Sequence, residues 1–468
     1  GWRTVQLQTC ATRDSGGVRK ATGIMRWLSL AMMAIGLAKV AAAPTAVNRT
    51  PLVLVPGFTG CSLEVELKNK RSSLPSCPTT TNGAWEIIWM DDKTLQPDQA
   101  VCFIEDMEVE VRSNKYVTTP GVSIRARDFG SVDGLIYLDH EKKHPSFYGK
   151  VVKFFEDHGY QRGVDLFGAP YDWRYAVERV DTFYSDLKKL VEDTRASTGA
   201  KVALFSHSLG PSITLEFLSR QSAAWKEENI AAFLAVTPVW AGNVVSVWYA
   251  ISGIDCKQAW GANCPGGVPE GATRWFLREV MTNLPSSYWT FPLRGNGRAN
   301  SSWSRDEVLI ETPSKKYTAY NMPQMMTDLG LDRSKDMCER VQESPGKKTF
   351  PAPKVDTYVF YGTGLKTASK FEYAKDFEPV LPGQAPPKAS KVIYDRDDEG
   401  DTVCPLRTVL RSSIEWPDAQ VAAGKVLQHK GYPGMPHRDT TRMLPDALKI
   451  LDSLRVPTAK NMTAIDQI

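Results

Sequence analysis

The sequence predicts an α/β protein built on a mostly parallel sheet with helices on both faces. Three observations carry that prediction. Short, continuous apolar runs such as Leu52-Val-Leu-Val55 and Val202-Ala-Leu-Phe205 suit strands buried on both faces of a parallel sheet. Stretches with apolar residues at helical spacing lie between them, and strand–helix alternation of this kind implies parallel pairing with crossover helices. At Lys201-Val-Ala-Leu-Phe-Ser-His-Ser-Leu-Gly-Pro211 a strand passes into a helix through a turn only a residue or two long.

Taken in order, residues 1–43 read as a leader. The chain opens with Gly and its first methionine is Met25; Met25-Arg26 is a basic start, Trp27 to Ala38 an apolar run, and Ala41-Ala-Ala43 an A-x-A site. This is the layout of a signal peptide, with residues 1–24 as upstream sequence. Lys39 interrupts the run, which is short for a spanning helix; an uncleaved anchor is the alternative. Residues 51–468 form the core. Leu52–Val55 is a strand between Pro51 and Pro56, and Gly57-Phe-Thr-Gly60 is a loop whose glycines allow close backbone approach. Residues 61–115 are polar, rich in Ser, Thr and Pro, and carry Trp85 and Trp89; they read as an excursion from the sheet. Phe147 to His158 is a helix with Val151, Val152, Phe154 and Phe155 apolar, and Val164 to Gly168 is a strand. Val180, Phe183, Tyr184, Leu187, Leu190 and Val191 mark one face of a helix running to about Thr198, which Gly199 ends.

The Val202 strand and a helix over Leu209 to Arg220, with Ile213, Phe217 and Leu218 at helical spacing, follow, then a strand at Ile230–Val236. Residues 240–350 hold many Gly and Pro, six tryptophans and little periodicity; they read as a cap inserted over the C-terminal edge of the sheet. Strands resume at Val355–Tyr361 and Lys391–Tyr394, followed by a polar loop at Asp395–Thr402. Gly424 to Gln428 is the last expected strand and Asp439 to Leu454 the closing helix.

Composition sets bounds on function. The chain has 468 residues, 42% hydrophobic and 24% charged, as expected of a large globular core. The formal charge of +4 belongs to the leader: residues 1–43 carry six of the 57 basic and one of the 53 acidic side chains, leaving 51 against 52. That balance gives no electrostatic case for nucleic-acid binding. Seven cysteines remain beyond the leader: Cys61, Cys77, Cys102, Cys256, Cys264, Cys338 and Cys404. None forms a C-x-x-C pair, so a metal site is not expected, and the odd count leaves a free thiol; no cofactor is expected. Asn48, Asn300 and Asn461 open N-x-S/T sequons.

The chemistry centres on Ser208. A turn this sharp crowds the positions two residues either side of the serine, which must be small, and here they are Ser206 and Gly210. That is a nucleophile elbow with Ser in place of the first Gly. The helix behind it directs free N–H groups at charge developing on a substrate oxygen. A serine needs a base and the base an orienting carboxylate. In this sheet order the acid follows a late strand and the histidine the last one. Of six histidines, that selects His429 or His437, with the acid in the 395–402 loop.

With Leu54-Val-Pro-Gly-Phe-Thr-Gly60, Ile88-Trp-Met-Asp91, Ala169-Pro-Tyr-Asp-Trp-Arg174 and Ser206-His-Ser-Leu-Gly210 in hand, the chain resembles the lecithin:cholesterol acyltransferase family, which includes lysosomal phospholipase A2 and the phospholipid:diacylglycerol acyltransferases. Weaker echoes are Thr237-Pro-Val-Trp-Ala-Gly242, Tyr361-Gly-Thr-Gly364 and Gly400-Asp-Thr-Val403. The resemblance implies an α/β-hydrolase with Ser208 as nucleophile and the backbone N–H groups of Thr59 and Leu209 as oxyanion hole. The second histidine of the family's H-x-x-x-H pair corresponds to His437, here set further from His429 by an insert. The family's Gly-Asp-x-Thr-Val implies Asp401 as the acid; this loop is one residue shorter, which makes Asp398 the runner-up. It also implies a Cys77–Cys102 bridge holding an aromatic-bearing loop at the active-site mouth, where Trp85 and Trp89 would meet a membrane. Cys256 with Cys264 is a possible lid clip, Cys338 with Cys404 a possible pair, and Cys61 the candidate free thiol.

The expected function is transfer of a fatty acyl chain from phospholipid to a sterol, another lipid alcohol or water. Phospholipid membranes or lipoprotein surfaces are the partners, and the compartment is outside the cell or the lumen of a secretory-pathway organelle. A lipase or phospholipase A that only hydrolyses is one alternative, and a catalytically silent lipid-binding hydrolase fold is another.

Overall fold

A computed structural model describes residues 49–455 except 91–98, 114, 140–141, 143–144, 256–269, 296–302 and 395–398. The chain divides into two units, Gly1–Ala43 and Pro44–Ile468, and the described residues all belong to the second. The expected leader, Asp91, Asp398, Cys256, Cys264 and the three sequon asparagines lie outside the described residues. Among the described residues no helix is long and apolar enough to cross a membrane.

Strand β1 (Leu52–Val55) is fully buried. The excursion follows it: β2 (Leu63–Leu67), β3 (Glu86–Trp89) and β6 (Val122–Ala126) form an antiparallel sheet in the order β3-β2-β6. Strands β4 (Val109–Arg112) and β5 (Lys115–Thr118) form a hairpin. The excursion is therefore longer than the polar composition of 61–115 suggests. Its last strand, β6, alternates exposed and covered residues in V-S-I-R-A, as a half-buried strand should. The Cys77–Cys102 disulfide is present and ties the loop before β3 to the helix Ala100–Met107. Beneath it the fully buried Lys70 ammonium pairs with Asp106 and with Glu105, the latter at 3.3 Å. Burial raises Asp106 to about 6 even so.

The chain then rejoins the central sheet with β7 (Leu166–Gly168), β8 (Val202–His207) and β9 (Ile230–Val236). Within the cap, β10 (Ile310–Glu311) and β11 (Lys316–Tyr317) follow the helices Val244–Ser252, Glu270–Thr282 and Pro285–Trp289, and β12 (Thr357–Thr363) returns to the core. Beyond it come β13 (Leu365–Lys366), β14 (Lys370–Glu372), β15 (Lys391–Ile393) and β16 (Glu399–Gly400), and β17 (Leu427–Pro433) ends the series. The central sheet has the order β17-β12-β9-β8-β1-β7, and every neighbouring pair is parallel. All six residues of β8 are buried. Each Leu, Val or Phe so covered contributes about 1.5–3 kcal/mol relative to exposure.

Helices Tyr148–Asp157, Asp181–Thr198 and Gly210–Ser219 fall where the apolar spacing puts them. Gly199 ends the second at φ 73°. Two strand expectations are corrected. Lys391–Ile393 does not join the central sheet; it pairs antiparallel with β14 in a sheet with β10 and β11. It has no fully buried residue, whereas a central parallel strand is covered on both faces. The cap is consequently discontinuous, extending from 240–350 into the segment after β12. The last strand starts at Leu427, because Gly424 turns the chain at φ 65° and Val426 still accepts from the N–H of Thr357 at the strand entrance. The closing helix is Leu444–Ser453, after a short 3-10 turn at Thr441–Met443.

The disulfide closes a loop with a sequence separation of 25, worth about 3–4 kcal/mol if it acts through the entropy of the unfolded chain. Cys77→Ser with Cys102→Ser should lower unfolding stability by about that amount in denaturant titration. A change below about 0.5 kcal/mol would mean that the buried Lys70 cluster holds the excursion without the bridge.

Candidate active site

β8 delivers Ser208. Its backbone sits at φ 61°, the left-handed region that an L-residue enters only when its surroundings impose it. The imposition comes from both sides. The Ser208 N–H donates to Val236 O at 3.0 Å, and the Val239 N–H donates to Ser208 O at 3.2 Å. A Cβ on Gly210 would lie 2.7 Å from the carbonyl oxygens of Val55 and Pro56, and one on Gly57 would lie 2.8 Å from the Ser208 Cβ. Gly210 therefore lets the helix start directly over the end of β1, and Gly57 lets the loop after β1 press against the serine. Ser206, where a glycine stands in the common pattern, hydrogen-bonds Thr214 Oγ1 at 2.7 Å, so its buried hydroxyl is satisfied. From Val202 to Pro211 every residue is buried except Ser208, which is half-buried.

His437 follows β17. Its Nε2 lies 3.0 Å from Ser208 Oγ and its Nδ1 lies 2.7 Å from Asp401 Oδ2. A carboxylate only accepts, so Nδ1 carries the proton and Nε2 presents its lone pair to the serine hydroxyl. Asp401, 1% exposed, accepts further bonds at Oδ1 from the N–H groups of Val403 at 3.0 Å and Cys404 at 2.7 Å. The His437 N–H donates to the Asp401 carbonyl at 2.8 Å, so the two loops are fastened through backbone as well as side chain. The arrangement can pass the serine proton to the imidazole and stabilise the resulting cation beside a fixed carboxylate.

His429 is not part of this cluster. It lies within β17, and its Nε2 meets Ser412 Oγ at 2.9 Å. Thr59 adopts φ 58°, in a turn closed by the Gly60 N–H donating to Gly57 O at 3.1 Å. Leu209 is the buried N-cap of the helix Gly210–Ser219. Among the described residues neither the Thr59 nor the Leu209 N–H has a protein acceptor.

The expectation that Trp89 contacts a membrane does not hold. Trp89 is 4% exposed, lies edge-on to Trp173 at 5.2 Å, and donates its indole N–H to Thr59 O at 3.1 Å. It sits at the inner end of β3, where the excursion meets the core. Trp85, just outside the outer end, is half-buried with the Arg125 guanidinium 4.1 Å over its ring. Cys61 is a free buried thiol, and so are Cys338 and Cys404. The possible Cys338–Cys404 pair does not form: Cys338 is on the cap helix Asp332–Glu343, whereas Cys404 lies against Asp401. Among the described residues, Asp401, Cys404 and His437 also group as potential metal ligands, within 4.8 Å of one another. Burial and the Asp401 charge hold the Cys404 thiol protonated, and the other two are already engaged with each other.

A further histidine, His207, packs against His437, with ring centroids 5.2 Å apart. Its ring stacks on Phe147 at 4.2 Å, and its Nε2–H donates to the His437 carbonyl at 2.9 Å. Residue 207 points away from the nucleophile by strand alternation; its only sequence signal was its place beside Ser208. Burial, with His437 nearby, lowers its pKa from 6.5 to about 3. The folded ring is thus neutral where the unfolded chain takes up a proton. Stability is full above pH 6.5 and is lost as pH falls from there toward about 3. His207→Gln, which keeps an N–H donor for the His437 carbonyl, should flatten that acid limb by up to about 1.4 kcal/mol per pH unit. Denaturant titrations across the window measure it, and an unchanged slope would mean that the folded ring is protonated.

A family model described as Lecithin:cholesterol acyltransferase matches residues 85–345. The chain is 31% identical over 337 residues to phosphatidylcholine-sterol acyltransferase of Gallus gallus, covering 72% of this chain and 76% of that one. It is 31% identical over 362 residues to the Homo sapiens protein of that name, with 77% and 76% covered. It is 30% identical over 330 residues to lysosomal phospholipase A and acyltransferase of Canis lupus familiaris, with 70% and 76% covered. Together with the parallel sheet and the Cys77–Cys102 bridge, these likenesses give the conclusion that the chain belongs to the lecithin:cholesterol acyltransferase family.

Proposed function

We propose that the protein moves a fatty acyl group from phospholipid to a lipid alcohol or to water through an ester on Ser208. The observation that carries the reading is the hydrogen-bonded series from Ser208 Oγ through His437 to Asp401, at the half-buried tip of an otherwise buried turn. The names of the relatives support the choice of substrates: one names phosphatidylcholine and sterol, the other phospholipase and acyl transfer.

In the first half-reaction Ser208 Oγ attacks the ester carbonyl of the phospholipid as its proton passes to His437 Nε2. The carbonyl oxygen becomes an oxyanion and receives hydrogen bonds from the N–H groups of Thr59 and Leu209, which have no other acceptor among the described residues. Donors held ready for that charge lower the barrier because nothing has to reorient when it forms. Asp401 holds the His437 imidazolium in its tautomer and orientation. The C–O bond to the lysophospholipid breaks, and that oxygen leaves with the proton from His437. In the second half-reaction an alcohol or water gives its proton to His437 and attacks the acyl-enzyme, and Ser208 recovers its proton as the new ester or the free acid departs. The buried disulfide is supported best by an oxidising compartment, either outside the cell or in a secretory-pathway lumen.

Two outcomes are expected. Ser208→Ala should abolish acyl release and acyl transfer together, by about 10⁴-fold or more, with the fold intact. The assay is product analysis with acyl-labelled phosphatidylcholine, with and without sterol, diacylglycerol and a long-chain alcohol. The label should appear on at least one alcohol as well as in free acid; persistence of either product in the variant would sink the assignment. Trp85, at the rim of the excursion, is proposed as the membrane contact that remains after Trp89 is placed inside. Trp85→Ser should weaken vesicle binding and activity on vesicles while sparing a short-chain soluble ester. Equal loss on both substrates would make Trp85 structural.

A further inference from the structure

We propose that Trp89 is a positioning residue for the reaction: its indole N–H, delivered by β3, holds the Thr59 carbonyl and through it the adjoining peptide that presents the Thr59 oxyanion donor. The proposal rests on the reading of Thr59 as one of the two oxyanion donors.

Thr59 stands at φ 58° in a loop that runs from Gly57 to the start of β2. A side-chain-bearing residue in this conformation costs about 1–3 kcal/mol and persists only when its surroundings over-determine it. The internal turn supplies a single bond, from the Gly60 N–H to Gly57 O at 3.1 Å. The other holds come from outside the loop. Trp89 Nε1–H donates to Thr59 O at 3.1 Å, and Trp173 Nε1–H donates to Cys61 O at 3.1 Å. The Cys61 thiol donates to Tyr171 O at 3.3 Å. The two indoles lie edge to face at 5.2 Å, and the Phe58 ring lies edge-on to Trp173 at 5.3 Å.

An indole has one donor and no acceptor, so the Trp89 contact with Thr59 O is that side chain's whole polar content. Thr59 C=O and Thr59 N–H belong to the two peptide planes that share the Thr59 Cα. Fixing the first restricts rotation of the second, and with it the direction of the N–H aimed at the substrate. A donor displaced by about 1 Å can cost about 10²-fold in rate. Trp89 does not touch the substrate in this account; it acts through Thr59.

Trp89→Phe keeps a ring against Trp173 and Phe103 but removes the donor. Rates should be measured on a short-chain soluble ester and normalised to the Ser208 sites titrated by a fluorophosphonate, so that only folded sites are counted. The expected result is a fall in kcat of about tenfold or more with KM within about twofold. The ³¹P resonance of the Ser208 phosphonyl adduct should shift from its wild-type position, since its phosphoryl oxygen occupies the same hole. Phe103→Leu, which disturbs the packing around Trp89 without touching the hydrogen bond, should lower thermal stability and leave kcat per site unchanged. An unchanged kcat per site in Trp89→Phe, or a matching kcat loss in Phe103→Leu, overturns the proposal. A kcat loss with an unshifted ³¹P resonance overturns the oxyanion placement of Thr59 instead. Failure of the wild-type protein to form an adduct at Ser208 overturns the acyl-enzyme reading beneath both.

Discussion

The backbone pairing of β1 with β8, which sets Val55 opposite Ser206, is the constraint on which the site depends. At this pair the order of the sheet turns: β7 lies to one side of β1 and the later strands to the other. Loops leaving the two strands therefore diverge, and a crevice opens between them at their carboxyl ends. The loop after β1 falls beside the serine after β8, and Gly210 brings the following helix onto the Val55 and Pro56 carbonyls. A slip of one residue would turn every side chain of β8 to the opposite face, exchanging the environments of Ser206 and His207. No other pair in the sheet carries so much of the geometry at once.

Around this pair, the signature residues that perform no chemistry act mostly as supports. Trp89 from the I-W-M-D run and Trp173 from the A-P-Y-D-W-R run each give their N–H to the loop after β1. Arg174, 2% exposed, is neutralised by Asp172 at 2.7 Å. A buried guanidinium is costly unless paired in this way, and here the pair lies within the turn that follows β7. Tyr148 adds its hydroxyl to Val55 O at 2.6 Å. The loop beside the nucleophile is thus held from three elements distant in sequence.

The central strands were legible because burial on both faces leaves an unbroken apolar run, as at Leu52–Val55 and Ile230–Val236. The elbow was legible because crowding restricts the positions around Ser208. Chain order then narrowed the histidine to two, and only the resemblance separated His437 from His429; the structure puts His437 against Ser208 and His429 inside a strand. Short strands with one exposed face misled. Lys391–Ile393 has the composition of a core strand but the burial of an edge, and partner choice among such strands is set by tertiary contacts. Trp85 and Trp89 looked alike in sequence, being aromatic residues in a polar stretch. What separates them is which end of β3 enters the core, and a segment four residues long does not announce that. The role of His207 was invisible because it rests on a carbonyl 230 residues away.

The discontinuous cap has a mechanical implication. Its mixed sheet takes β10 and β11 from before β12, and β14 and β15 from after it, joined by the parallel pair β10–β14. The carboxylate that faces His437 hangs on the return of that second piece: Leu365 of β13 pairs with Gly400 of β16, one residue before Asp401. The Thr402 N–H is also tied to Thr367 Oγ1 at 3.1 Å. Cap and acid therefore share one length of chain, clamped where β13 leaves the core. A displacement of the cap that stays beyond this clamp leaves the carboxylate in register with the imidazole; one that pulls on β13 unseats both. The β13–β16 pair works as a strain relief, like the grip that keeps tension on a cable from reaching its connector.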